Sequence, residues 1–131
     1  MNRRAPVLLI IQNGSESAGI LPAGVRPEES GFLTLRASGA SMGYELARAR
    51  RPDVIALDVD VSGGTGWAVC RLLKRDPATA AIPVIIVNTP RTTETDAHAR
   101  YVGASAVFPD HAAASAWLAA LRDAVARANA A

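Results

Sequence analysis

Asp58 closes an unbroken apolar run, Val54-Ile55-Ala56-Leu57. A carboxylate at the mouth of a buried strand is costly unless it is solvated, paired or put to use. The stretch behind it runs from Val59 and Asp60 through Ser62-Gly63-Gly64-Thr65-Gly66 to Trp67, a glycine-rich loop opening a helix. Such a loop can cradle an anion at a helix N-terminus. It can equally be a tight strand-to-helix connection, and spacing alone favours that plainer reading. Polar residues follow the other apolar runs in the same way: Gln12 and Asn13 after residues 7–11, Asn88 and Thr89 after 82–87, Asp110 and His111 after 104–108. Cys70 is the chain's single cysteine, so no internal disulfide can form, and with two distant histidines it makes a poor metal site.

The elements that must carry these residues follow from the hydrophobic pattern. Runs at 7–11, 54–57, 82–87 and 104–108, with a weaker one at 32–35, lack polar alternation and predict strands covered on both faces. Between them lie helix-period segments. Residues 66–75 place Trp67, Val69, Cys70 and Leu73 on one broad face, with Arg71, Lys74 and Arg75 outside. Residues 112–128 carry Trp117, Leu118, Leu121 and Val125 as an amphipathic stripe. Residues 41–51 form a helix closed by Arg51-Pro52, and 92–101 form one stopped by Gly103. His98 falls there as ordinary exposed surface. The stretch 15–27 holds Gly19, Pro22, Gly24 and Pro27, so a helix there is short or broken. Strands alternating with helices predict an α/β fold with a doubly wound parallel sheet. In such sheets function gathers at the carboxyl ends of the strands, where the polar residues above stand.

The 131 residues fit one domain, 1–131, large enough to hold a core without a disulfide or metal. Half of them are hydrophobic and a fifth charged, a globular profile. Thirteen arginines and one lysine, Lys74, give a net charge of only +2 and scatter along the chain. A nucleic-acid partner is therefore not expected. The apolar run near the start is too short for a signal peptide, and no run spans a bilayer, so neither a membrane partner nor a location outside the cytoplasm is expected. Walker A, G-x-G-x-x-G and G-x-S-x-G motifs are absent, which removes the mechanical parts of NTPase, dinucleotide and hydrolase chemistry.

Arg51-Pro52-Asp53-Val54-Ile55-Ala56-Leu57-Asp58, Gly63 and Gly66, Cys70-Arg71-Leu72-Leu73-Lys74, Ile82-Pro83-Val84-Ile85 and Gly103-Ala104 together resemble the CheY-like receiver family of response regulators. The likeness covers residues 37–110 well and the first third by pattern only. It implies a flavodoxin-like five-stranded sheet of order 2-1-3-4-5, in two-component signalling, with Asp58 at the position that accepts a phosphoryl group from a histidine kinase. It also implies an acid pair after the first strand to hold Mg²⁺, which neutralises the transferring group. Gln12 and Asn13 occupy that place, and Glu16 comes several residues late. An amide ligates a hard cation without charge, so Mg²⁺ should bind weakly through Asp58 and Asp60 at best, and no cofactor is required.

The family's hydroxyl after the fourth strand is replaced by Asn88, with Thr89 next to it. Its lysine after the fifth strand is replaced by Asp110, followed by His111, and its switch aromatic by Val107. A cation about 4 Å from a phosphoryl group contributes about 4 kcal/mol at an effective dielectric of 20, and an anion there reverses the sign. These replacements point to an atypical receiver, a pseudo-receiver, that is not an enzyme and works through contacts with other signalling proteins. The surface implied is the one built by helix 92–101, the fifth strand and the last helix, with a homodimer as one arrangement. Two other readings stay open: a working Mg²⁺-dependent phospho-acceptor at Asp58, and a small-molecule module with a repurposed pocket over Asp58 and Asp110.

Overall fold

A computed structural model describes residues 5–12, 26–61, 65–109 and 113–130. Five parallel strands form one sheet, β1 (Val7–Gln12), β2 (Leu33–Ser38), β3 (Val54–Asp58), β4 (Val84–Val87) and β5 (Ala106–Phe108), in the order β2-β1-β3-β4-β5. The helices are α1 (Ala40–Arg50), α2 (Gly66–Arg75), α3 (Thr93–Val102) and α4 (Ala114–Ala130). Between β1 and β2 the described helical structure is a single 3-10 turn, Pro27–Ser30. This is the short first helix expected from the prolines and glycines; the segment before it lies outside the described residues.

The central strands β1, β3 and β4 bury both faces because helices cover the sheet on both sides. On one face Leu9, Ile11, Ile55, Leu57, Val84 and Ile86 pack against Ala47 of α1, Val69, Cys70 and Leu73 of α2, and Ala99 and Val102 of α3. On the other, Leu8, Ile10, Val54, Ala56, Ile85 and Val87 pack against Trp117, Leu121 and Ala124 of α4. The alternation of residues 8 and 10 with 9 and 11 is the period-2 consequence of the pleat. Burial pushes the Cys70 thiol up to about 11, which leaves it a small hydrophobe rather than a nucleophile.

Several boundaries differ from the sequence reading. The second strand runs to Ser38 rather than ending at residue 35, and Phe32, placed in it, is a buried residue just ahead of it. β2 pairs only with β1, and an edge strand accepts the polar Thr34, Arg36 and Ser38 that interrupt an apolar run. Strands β4 and β5 begin two residues later than expected, since Ile82 is held in a turn by Thr79 and Gly103 caps α3 in the left-handed region at φ 88°. Lys74, expected outside, is half-buried: its amine donates to the carbonyl oxygens of Ala80 and Ile82, and its stem lies beside Gly103.

Candidate functional site

The register of the sheet aligns the strand ends. Ile11 pairs with Leu57, and Asp58 with Val87, so Gln12, Asp58 and Asn88 finish three adjacent strands side by side. Asp58 is 6 % exposed and Gln12 is 8 % exposed, both buried although they terminate their strands. Gly66 holds the loop after Asp58 in place. A Cβ there would lie 2.6 Å from the Asp58 carbonyl oxygen and 2.8 Å from Val59 Cα, both backbone atoms that cannot swing aside. Its N–H donates to the Val59 carbonyl, while the Thr65 side chain caps α2 by accepting from Ala68 N at 3.1 Å. The glycine at the end of this loop is therefore required by close approach of helix and strand end.

Asp58 Oδ1 accepts two hydrogen bonds, from Asp60 N at 3.0 Å and from Asn88 Nδ2 at 3.4 Å. Both donors are neutral. Among the described residues no basic side chain forms an ion pair with Asp58, and no cluster of three or more His, Cys, Asp or Glu side chains suited to a metal is found. Asp60 turns its carboxylate to solvent and meets Asp58 through its backbone. Asn88 reaches Asp58 from a left-handed backbone, φ 66°, a conformation that asparagine tolerates better than most side chains.

No protein-family model matches the sequence. Individual proteins do. Protein PilH of Pseudomonas aeruginosa is 42 % identical over 69 residues, covering 53 % of this chain and 56 % of PilH. Response regulator PleD of Caulobacter vibrioides is 52 % identical over 44 residues, 32 % of this chain and 10 % of PleD. The chain thus spans about half of one relative and a tenth of the other. A response regulator receiver domain protein (CheY-like) from Methanospirillum hungatei superposes with a TM-score of 0.76 at 14 % identity, covering 95 % of this chain and 96 % of that one. The strand order and the local identity to response regulators agree. The chain thus has the CheY-like receiver fold and is similar to response regulators over part of its length.

In this fold the expected residues come together only in part. Gln12, Asp58, Asp60 and Asn88 gather at the carboxyl ends of β1, β3 and β4. Thr89 is buried at 6 % exposure and continues the β4–β5 pairing by donating its N–H to the Phe108 carbonyl. Val107 is a buried core residue on β5, with no ring to turn between inward and outward positions. Asn13, Asp110 and His111 lie outside the described residues, as does Glu16.

One feature near the site was missed in the sequence reading. Trp67, in the first turn of α2, stacks on His98 of α3 with ring centroids 4.2 Å apart and planes 11° apart. His98 is exposed, as expected, and this stacking is its added role. Trp67 and Arg71 at i, i+4 and His98 and Tyr101 at i, i+3 already place two stripes on neighbouring helices; only the packing of α2 beside α3 turns them toward each other.

Two grooves lie beside β5. One, about 280 Å³, lies between α3 and α4 and includes Arg91, Asp96, Arg100, Val107, Phe108 and Ala120 in its walls. The other, about 360 Å³, lies toward the opposite end of β4 and β5, with Lys74, Pro83, Ser105, Asp123 and Arg127 among its lining. Neither includes Asp58. Among the described residues no helix is long and apolar enough to cross a membrane.

Proposed function

We propose that this receiver serves two-component signalling as an atypical member, a pseudo-receiver, that acts through contacts with other signalling proteins rather than through Mg²⁺-driven phosphorylation of Asp58. The observation that carries this reading is the set of groups around Asp58. Its Oδ1 is held by a backbone N–H and an amide, where phosphoryl transfer is helped most by cations that neutralise developing charge. Gln12 at the end of β1 contributes no charge to a metal, so Mg²⁺ affinity is weak in this reading. Asp110 in the chain position of the family's lysine acts in the same direction.

The contact surface in this proposal is the groove formed by α3, β5 and α4, with a partner protein or a second copy of the chain as occupant. Its walls carry both signs of charge, with Arg91 paired to Asp96 at 3.7 Å and Arg100 beside them. Mixed charge around an apolar floor suits a polar-rimmed protein interface.

Intact-mass measurement after incubation with acetyl phosphate and Mg²⁺ tests the proposal, with Asp58→Asn as control. The expected result is no added phosphate in a protein shown to be folded. A phosphate adduct that vanishes in Asp58→Asn would establish Asp58 as a working acceptor and overturn the pseudo-receiver reading.

A further inference from the structure

Above the buried Cys70 and Val102, the outer part of the seam between α2 and α3 carries polar aromatics. Trp67 and His98 stack face to face, and His98 is followed one turn later by Tyr101, with centroids 6.4 Å apart. The Arg71 guanidinium lies 4.8 Å from the Tyr101 ring centroid and donates to its hydroxyl. These groups do not close over one another. Tyr101 is 68 % exposed, and Leu72, next to Arg71, is 48 % exposed. One of the chain's two tryptophans and one of its two tyrosines therefore stand on an open strip. A side chain needed only to hold two helices together would be better buried.

The charge on this strip is one-sided at its Arg71 end. Arg75 follows Arg71 by one turn on the same exposed face. Among the described residues neither forms an ion pair; the pairs present belong to Arg48, Arg91 and Arg127. Asp76, the nearest acid along the chain, is engaged by Arg48 and Tyr44 of α1. Glu94 lies one turn before His98, at the other end of the strip. Two guanidinium groups without acid partners, beside an exposed phenol and a half-buried indole, match carboxylates flanking an apolar residue. Trp, Tyr and Arg are also the residue types that concentrate binding energy at protein interfaces.

We infer that the α2–α3 strip of Trp67, Arg71, Arg75, His98 and Tyr101 is a docking surface for an acidic segment of a partner protein. It is separate from the α3–β5–α4 groove, and it begins one residue after Gly66, where an added Cβ would collide with the Asp58 carbonyl. A partner seated there touches the helix that the Asp58 loop leads into. The strip thus gives this receiver a contact face next to its site that does not depend on a phosphoryl group.

NMR titration of the whole chain with poly-L-glutamate tests this, with polyuridylate and protein dilution as parallel arms. Shifts confined to the Trp67 indole, Arg71, Arg75, His98 and Tyr101, weakened by about tenfold or more in Arg71→Glu/Arg75→Glu, are the expected result. Tyr101→Ala should weaken binding as well, and Asp58→Asn should leave it intact. Shifts spread over all arginine-bearing surfaces, or affinity unchanged in the double variant, would overturn the inference. Tighter binding of polyuridylate at the strip would replace the acidic segment by a nucleic acid. Dilution shifts at the same residues without ligand would replace it by a second copy. Phosphorylation of Asp58, by contrast, would sink the pseudo-receiver reading and leave this one standing.

Discussion

At Asn88 a side-chain contact and a backbone cost coincide. The residue holds φ 66°, a region in which a Cβ-bearing residue is strained by roughly 1–2 kcal/mol, and its amide donates to Asp58 Oδ1. Two substitutions separate the two effects. Asn88→Gly keeps the backbone relaxed and removes only the amide, so urea unfolding should show a loss of about 0.5–1 kcal/mol. Asn88→Val adds the strain and should lose a further roughly 1–2 kcal/mol. Equal losses in both variants would mean that the left-handed backbone carries no cost here. Asp58 and its flanks stand at the strand end where the sequence put them, whereas the left-handed turn at Asn88 carries no mark in the sequence beyond the residue type.

Helices α1 and α2 are joined at the element scale by a single acid. Asp76, just past the end of α2, accepts a hydrogen bond from Tyr44 Oη and pairs with Arg48 Nε at 2.9 Å, while the Arg48 guanidinium lies 5.8 Å from the Tyr44 ring centroid. The bond from Tyr44, reinforced by the Ala78 N–H, holds the Asp76 carboxyl below its ordinary range. A carboxyl depressed in the folded state contributes stability above its unfolded pKa of about 3.9, and that contribution is lost as pH falls through the lower folded value. Tyr44→Phe should therefore lower the Tm by a few degrees at neutral pH, with the gap to the parent protein narrowing below about pH 4. A gap that stays constant to the acid limit would show that Asp76 does not carry it. The sequence reading closed α1 correctly at Arg51, now seen as a left-handed cap at φ 45°, but Tyr44, Arg48 and Asp76 are up to 32 residues apart, and no local pattern links them.

At the scale of the whole molecule, the described helices cover the two faces of the sheet unequally. Helices α1, α2 and α3 share one face, while on the other Trp117 and Leu121 of α4 meet Leu8, Ile10, Val54, Ala56 and Ile85. Trp117 is 1 % exposed and lies 6.1 Å, centroid to centroid, from Phe108 of β5. Trp117→Ala should cost about 3–5 kcal/mol in urea unfolding, a large share of the roughly 5–15 kcal/mol that holds a domain together. Since α4 also walls both grooves beside β5, the same substitution should loosen the α3–β5–α4 face. Hydrogen exchange across α4 and β5 reads this directly; protection unchanged in α4 would mean that its packing does not rest on the indole.

Apolar runs at 7–11, 54–57 and 82–87, the helical stripes between them, the Arg51-Pro52 stop and Gly103 determined by themselves that this chain is a parallel α/β sheet with Asp58 at a strand mouth. Burial on both faces and local backbone stops are written in contiguous residues, so periodicity finds them. The reach of β2 to Ser38 was not legible, because an edge strand need not be apolar. Only the tertiary structure decided that Asn88 turns left-handed to meet Asp58, that Lys74 is half-buried between two carbonyls, and that His98 stacks on Trp67. The first and the last depend on residues some thirty positions apart being brought together by the packing of β3 beside β4 and of α2 beside α3, and the second on a turn that folds residues 80 and 82 back onto α2.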